Sequence, residues 1–227
     1  MLASLTIIRY KTWQIPFAFF AMALFRLPLW LKKDISFYKL MGSGRSGSFD
    51  KTPDLRQWAI MLVSAGQTGT PSAGRFIDAW IRFFQCETCT FTLSPVSSHG
   101  TWDQKQVFGQ ELSNRLPIGR MAVLTRASIR LDSVKAFWAN VPAVAERMKY
   151  ADGLLFSVGI GEVPWIKQAT FSIWKDASAM KAFAYGQAAH KDVITKTRRD
   201  DWYAEDMFAR FEIISVTGTY KGAIPLS

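Results

Sequence analysis

The chain has 227 residues, of which 49% are hydrophobic and 14% aromatic, with 9 Trp and 17 Phe. This composition excludes general disorder and predicts one large domain or two small ones with a sizeable core. The formal net charge of +10 favours an anionic membrane surface, an acidic electron carrier or nucleic acid as partner. Nucleic acid is the weakest of these, because no nucleic-acid-binding module is recognised.

The first part of the chain predicts a β-α-β-β-α-β order. Its hydrophobic periodicity indicates strands at 4–9, 35–41, 55–64 and 88–93, and helices at 13–31 and 71–84. Residues 13–31 are near the short end of the ~17–25 residues that a membrane span needs, and they include Pro16, Arg26 and Pro28. A buried or interfacial helix is therefore favoured, which leaves peripheral membrane contact open.

A second β-α-β-β-α-β order follows a loop predicted at residues 94–117. Strands are expected at 120–131, 154–160, 166–174 and 208–219, and a helix from Asp132 or Ser133 to about Lys149. The sequence thus predicts an α+β fold of tandem ferredoxin-like halves, at 1–110 and 118–227. Two such sheets packed face to face would enclose an apolar pocket.

Between the last two strands, the sequence predicts two helices separated by Gly186. The second, at 187–199, places His190 on the same side as Val193, Ile194 and Thr197. A histidine on an apolar face is either a satisfied core residue or a ligand, and a neutral imidazole suits haem iron. The pattern alone does not choose between the two.

Two further motifs are interpreted as structural. Cys86 and Cys89 form a C-x-x-C that enters a strand, where residues three apart point to opposite faces, and no second pair completes a zinc site. The glycine-rich segment 42–47 lacks the lysine spacing of a phosphate-binding loop and is interpreted as a turn. No cleavable signal segment is recognised, and a cytoplasmic, reducing location is expected.

Several segments in this order resemble the spheroidene monooxygenase family, the acyclic carotenoid 2-ketolases. They are MGSGRSGSF followed by Trp58, LTRASIRL at 124–131, Phe137-Trp138, VGIGEVP at 158–164, QATFSIW at 168–174 and FARFEI at 208–213. The likeness spans most of the chain. It implies a dimeric α/β-barrel-like fold and an oxygen-dependent monooxygenase that uses haem b and a ferredoxin-type electron donor. Such an enzyme hydroxylates and then ketolates a linear, apolar carotenoid.

The resemblance also assigns a role to one residue, since it implies that His190 is the axial ligand of the haem iron. Other candidates do not come from the resemblance. Arg45 and Arg126 are candidates for propionate or distal polar contacts, and His99 is either a loop histidine or a distal residue. The pocket-wall candidates are Phe156, Phe171 and Trp174, because strand alternation can direct them to one face.

Three alternatives stay open on the sequence. One is a different haem enzyme on this fold, of dehydratase or peroxidase type. A second is a cofactor-free oxygenase, and a third is a non-enzymatic protein that carries haem or another apolar ligand. The sequence also leaves a homo-oligomer open.

Overall fold

The computed structural model describes residues 1–45, 51–66, 69–109, 112–185 and 201–226. The described chain contains eight strands that form one closed barrel. Their bounds are β1 Ala3–Arg9, β2 Ile35–Gly44, β3 Pro53–Ser64, β4 Glu87–Gly100, β5 Met121–Ile129, β6 Leu154–Val163, β7 Lys167–Trp174 and β8 Tyr203–Gly218.

Helices connect the strands and cover the outside of the barrel. Their bounds are α1 Ile15–Leu24, α2 Arg26–Trp30, α3 Arg75–Phe83, α4 Val134–Lys149 and α5 Ala177–Tyr185. The predicted helix at 13–31 is observed with two irregularities. A short 3-10 turn at Thr12–Gln14 precedes α1, and Phe25, whose backbone stays in the right-handed helical region, separates α1 from α2. The predicted helix at 187–199 lies outside the described residues.

The strands follow one another around the barrel in the order β1-β3-β2-β6-β7-β5-β8-β4, and β4 pairs with β1 to close it. All pairs are antiparallel, and the two halves of the chain meet where β2 pairs with β6 and where β4 pairs with β8. The expectation that two sheets pack face to face is therefore wrong. Their edges are hydrogen-bonded instead, so none of the eight described strands has an unpaired edge.

The barrel interior is a packed apolar core and not a pocket between sheets. Alternate residues of every strand point inward, such as Leu5, Ile7 and Phe211, and they are essentially inaccessible to solvent. Trp102 and Phe108, from the loop that follows β4, close one end of this core. Gly100, with φ +78°, allows that loop to turn, because a Cβ there would lie 2.2 Å from the Asp206 carbonyl oxygen.

The long pairing of β4 with β8 corrects a boundary. Residues 94–100 were expected to be loop, but β4 continues through Pro95 to Gly100 because a register shift between Pro95 and Ser97 accommodates the proline. This extension matters for the site, since it brings Ser97 and His99 beside β8.

Candidate functional site

The outer face of the second half of the barrel carries two separate apolar clusters. One contains Met121, Val123 and Trp174 beneath α5, and the other contains Ile129 of β5 and Trp138 of α4. On β5 the outward-facing residues between them are Thr125, which is exposed, and Ala127. The apolar cover is therefore interrupted in the middle of this sheet.

Polar side chains occupy and border the interruption, and we call this group the polar strip. It consists of Ser97, Thr125, Thr170, Ser172 and Arg210. Register places Thr125 opposite Thr170 on β7, Thr170 opposite Gly159 on β6, and Arg210 opposite Ser97 on β4. Directly opposite residues share a face of a sheet, so these side chains lie on one surface.

Three atoms of the polar strip are buried and lack a hydrogen-bond partner in the described structure. They are Ser97 Oγ, Thr170 Oγ1 and Arg210 Nε. A buried polar group without a partner costs about 1–3 kcal/mol, and such groups are rare unless a functional role or a bound species explains them. The polar strip is thus the most suitable place on this face for binding a polar or charged group.

His99 lies at the edge of this surface. It is exposed and stands opposite Phe208 on β8, which itself stands opposite Thr125. His99, Phe208, Thr125, Thr170 and Gly159 therefore form one cross-strand row over five neighbouring strands. An imidazole at this position can form a hydrogen bond with a group bound on the row.

The two clusters that flank the polar strip each contain a described residue close in sequence to residues 186–200. Met180 of α5 belongs to the cluster on one side, and Trp202 belongs to the cluster on the other. His190 lies between these two positions in the sequence but outside the described residues. Its predicted role as an iron ligand stays a prediction.

The three predicted pocket-wall residues do not share one face. Phe171 lies in the barrel core, and Phe156 packs against that core with its ring centroid 5.1 Å from that of Phe91. Trp174 belongs to the outer cluster beneath α5. The expectation that strand alternation directs all three to one surface is wrong, because residues three apart on a strand point to opposite faces.

Arg126 also faces the barrel interior, where it is 1% exposed. Its guanidinium pairs with Glu205, lies 3.4 Å from a Glu162 oxygen and 3.8 Å from an Asp103 oxygen, and lies over the Trp102 ring. The structure therefore does not bring Arg126 to the surface that carries His99. Arg45, the other predicted arginine, is exposed in the turn after β2.

Arg126 belongs to an ionic network that closes the end of the barrel beneath the Trp102 loop. Lys39 from the first half contacts Asp103 and, at 2.7 Å, Glu162 from the second half. Burial alone would raise the pKa of both Asp103 and Glu205. A hydrogen bond from Lys39 instead holds the pKa of Asp103 below its usual range. Hydrogen bonds from the Gln104 N–H, Thr101 and Arg126 do the same for the pKa of Glu205. The network is consistent with a structural role that joins the halves.

The cysteines behave as predicted from strand geometry. Cys89 points into the barrel core, whereas Cys86 packs in the apolar cluster outside it, and both are free thiols. Burial raises the pKa of Cys86 to about 11 and that of Cys89 to about 12, so neither is a nucleophile at neutral pH. Among the described residues, no group of three or more His, Cys, Asp or Glu side chains is arranged to hold a metal ion.

Sequence reasoning did not single out Ser97, Thr125, Thr170 or Arg210. A signal for Thr125 was present, because it interrupts the otherwise apolar outward series of β5, whereas Thr170 lies in an outward series that also contains Gln168 and Ser172. Ser97 and Arg210 could not be found this way, since their proximity depends on the register shift in β4.

The sequence is similar to known proteins over most of its length. The chain is 34% identical to the spheroidene monooxygenase of Rhodobacter capsulatus over 229 residues, covering 99% of this chain and 95% of that protein. It is also 34% identical to the spheroidene monooxygenase of Rubrivivax gelatinosus, covering 82% and 72% of the two chains. The chain belongs to the spheroidene monooxygenase family. The resemblance seen in the sequence and the expectation of a monooxygenase are thereby confirmed.

This member of the spheroidene monooxygenase family shares its fold with distant enzymes. The crystal structure of an aldoxime dehydratase superposes with a TM-score of 0.57 at 9% sequence identity, covering 93% of this chain and 80% of the dehydratase. At that identity the likeness concerns the fold alone. No family model matches the sequence.

Proposed function

We propose that this protein is a haem-dependent monooxygenase that hydroxylates and then ketolates an apolar, carotenoid-like substrate in the cytoplasm. Family membership supports the class of reaction. The observation that carries the assignment of the site is the polar strip, where three buried polar atoms have no hydrogen-bond partner within the described part of the chain and lie between two aromatic-rich clusters.

The finer description of the fold is part of the proposal. The spatial order is β4-β1-β3-β2 in the first half and β8-β5-β7-β6 in the second. Both follow the 4-1-3-2 pattern of a ferredoxin-like sheet, which supports two tandem ferredoxin-like units closed as in a dimeric α/β barrel. The corresponding units are residues 1–110 and 118–227.

The described residues of the polar strip fit a flat, anionic macrocycle such as haem b. Gly159, which is buried, and Thr125, which is exposed, are small and lie on the outer face between the clusters, and Phe208 offers an aromatic contact beside them. The buried Nε of Arg210 has no hydrogen-bond partner among the described residues, so its guanidinium suits a propionate carboxylate. We assign Arg210 this role, while Arg45 stays an exposed candidate.

In this proposal His190 holds the iron. When bound, haem would supply the oxygen activation that the side chains lack. Among the described residues the buried hydroxyl of Thr170 has no hydrogen-bond partner, and the exposed His99 at the edge of the row can form a hydrogen bond with a bound polar group. The aromatic side chains of both clusters exclude water and provide an apolar surface for a hydrocarbon substrate. The charge of +10 favours an acidic, ferredoxin-type electron donor.

The test is a haem titration of the purified full-length protein, followed by absorption spectroscopy. The wild type is expected to develop a Soret band with one equivalent of haem, His190→Ala is expected to lose it, and His99→Ala is the matched histidine control that keeps it. Turnover of a linear carotenoid with oxygen and reductant then tests the reaction. A protein that gives no specific Soret band would contradict haem dependence, and turnover of an aldoxime or of peroxide without oxygen would favour another haem chemistry.

A further inference from the structure

The helices of the first half expose large aromatic side chains to solvent. We call this surface the aromatic face, and it consists of Trp13, Phe19, Phe20, Trp30, Phe76 and Phe83. Their exposure ranges from 49% for Phe19 to 80% for Phe83. Single exposed hydrophobic residues are common, but a contiguous aromatic surface on adjacent helices marks an interaction site.

Helix α1 differs from an ordinary surface helix in the side chains that face outward. Its small residues Ala18 and Ala21 point at the barrel and are fully buried, whereas Phe19 and Phe20 point away. No charged residue occurs from Thr12 to Phe25. A helix that meets only water on its outer side carries polar residues there, so the composition of α1 matches an apolar neighbour.

Helix α3 lies beside α1 and α2 in the antiparallel direction and extends this surface. Phe17 of α1 contacts Phe84 just after α3, with ring centroids 5.0 Å apart, and Phe25 contacts Phe76 at the start of α3, at 6.3 Å. Between the helices lies an open groove of about 450 Å³ lined by aromatic residues that include Phe20 and Phe83. A groove of this volume can accept part of a hydrocarbon chain.

Residues Thr12–Trp30 are long and apolar enough to cross a membrane on length and composition, and 28% of that stretch is buried inside the protein. Its geometry indicates contact with a surface instead. Ala18, Ala21, Phe25 and Leu29 are fully buried in the cluster against the barrel. The segment therefore lies flat on the sheet, as an interfacial helix does on a bilayer.

Cations border the aromatic face at both ends. At one end the ammonium of Lys11 contacts Gln85, just beyond Arg82, and at the other the Lys32 side chain lies beside Gly74, next to Arg75. Lys33 and Arg26 add to the second end. Two carboxylates lie in these helices and their ends, Asp34, which pairs with Lys32 at 3.2 Å, and the exposed Asp78. Cations therefore predominate around the aromatic face.

We propose that the aromatic face docks the protein on an anionic phospholipid membrane. The aromatic side chains enter the interface between headgroups and acyl chains, where Trp and Phe are favoured, and the bordering lysines and arginines contact lipid phosphates. A second copy of the chain could also cover an apolar surface, but two copies facing each other would bring the same cationic borders together. Charge complementarity thus favours the anionic membrane.

The experiment measures flotation of the full-length protein with vesicles of phosphatidylcholine alone and of an equimolar mixture with phosphatidylglycerol. We expect binding to the mixed vesicles that weakens as salt is added. The double variant Phe20→Ser/Phe83→Ser should lower the partition coefficient at least about tenfold, since each side chain loses its apolar burial. The matched control, Leu131→Ser/Tyr150→Ser, removes two side chains that are 78% and 80% exposed on the other half and should bind like the wild type.

Charge reversal tests the cationic border. Lys33→Glu/Arg82→Glu should reduce binding to the mixed vesicles several-fold, whereas Lys135→Glu/Arg147→Glu, with the same change in net charge on the exposed side of α4, should reduce it less. Circular dichroism of each variant confirms folding. The proposal is overturned if the wild type floats with neither vesicle, or if the serine variant binds as well as the wild type. It is also overturned if light scattering shows a dimer that the serine variant converts to a monomer.

Discussion

The two helical layers of this protein cover the same barrel but are built in opposite ways. In the second half, α4 buries Phe137 and Trp138 against the sheet and exposes Lys135, Glu146 and Lys149. In the first half, α1 buries alanines and exposes phenylalanines. The same order of elements therefore supports one layer adapted to water and another adapted to an apolar neighbour.

The sheet faces beneath these layers differ in the complementary way. Under α1, α2 and α3 the apolar cover is one continuous cluster, which includes Ile8, Ile60 and Leu62. Under α4 and α5 it is divided into two clusters by the polar strip, where Thr125 and Thr170 replace aliphatic residues. We expect the continuous face to supply stability, and in the proposed function the divided face supplies the binding surface.

The largest expected difference in the free energy of unfolding comes from truncating one aromatic side chain in each helical layer to alanine. Trp138→Ala should lower the free energy of unfolding by about 3–5 kcal/mol, because Trp138 is 4% exposed and its indole donates a hydrogen bond to the Trp165 carbonyl at 2.9 Å. Phe83→Ala, at 80% exposure, should change it by about 0.5 kcal/mol or less. Urea unfolding at one pH measures both, and equal losses would contradict the contrast between the layers.

Loss of a carboxylate in the ionic network should have the next largest effect. In Glu205→Gln the buried Arg126 guanidinium keeps two carboxylate neighbours, Glu162 and the partly exposed Asp103. We expect the free energy of unfolding to fall by roughly 2–3 kcal/mol at neutral pH. Thr217→Gln, an exposed substitution on the same strand, serves as the control.

The pH dependence of that loss has a definite sign. Because the folded pKa of Glu205 is depressed, its stabilisation is fully present above the unfolded value of about 4.3 and is lost as the pH falls through the folded pKa. The difference between the wild type and Glu205→Gln should therefore shrink in acid, below about pH 4. A difference that stays constant down to pH 2 would show that Glu205 acts only by its shape.

Filling the polar strip should affect function more than stability. In Thr125→Trp a large ring would occupy the exposed position between the two clusters, and haem affinity and turnover should each fall at least about tenfold, which corresponds to about 1.4 kcal/mol. The melting temperature should hardly change, because Thr125 is exposed. Thr217→Trp, an exposed threonine on the extended part of β8, controls for the size of the side chain. Full activity in Thr125→Trp would remove this surface from the proposed site.

Much of the fold was predictable because its signals are local. The alternation in 4–9 and 166–174 and the helical spacing in 71–84 follow directly from side-chain periodicity, and the structure has β1, β7 and α3 there. The family resemblance implied a barrel-like fold, but side-chain periodicity could not predict the β2–β6 and β4–β8 pairings that close it, since they join residues far apart in sequence. For the candidate site, the sequence could indicate the second half of the chain but not the individual residues. The side of the barrel wall that Phe156, Phe171 and Arg126 face depends on strand register.

The smallest effect is expected at the cysteines, which lie on the two sides of the barrel wall in the first half. Cys86→Ser should change stability by less than about 1 kcal/mol, because Cys86 is half-buried at the edge of the outer cluster. Cys89→Ser places a hydroxyl in the barrel core, where Cys89 is 1% exposed, and should cost about 1–3 kcal/mol. Neither variant should alter turnover, since no step of the proposed reaction uses a thiol.

Thiol titration with a disulfide reagent at pH 8 checks the same assignment without mutation. With pKa values raised to about 11 for Cys86 and about 12 for Cys89, about one Cys86 thiol in a thousand is ionised at that pH. Both should react slowly in the native protein and at once in denaturant. Rapid native labelling of Cys86 would mean that the outer cluster opens readily, and the sheet beneath the aromatic face would then be less firmly covered than its burial indicates.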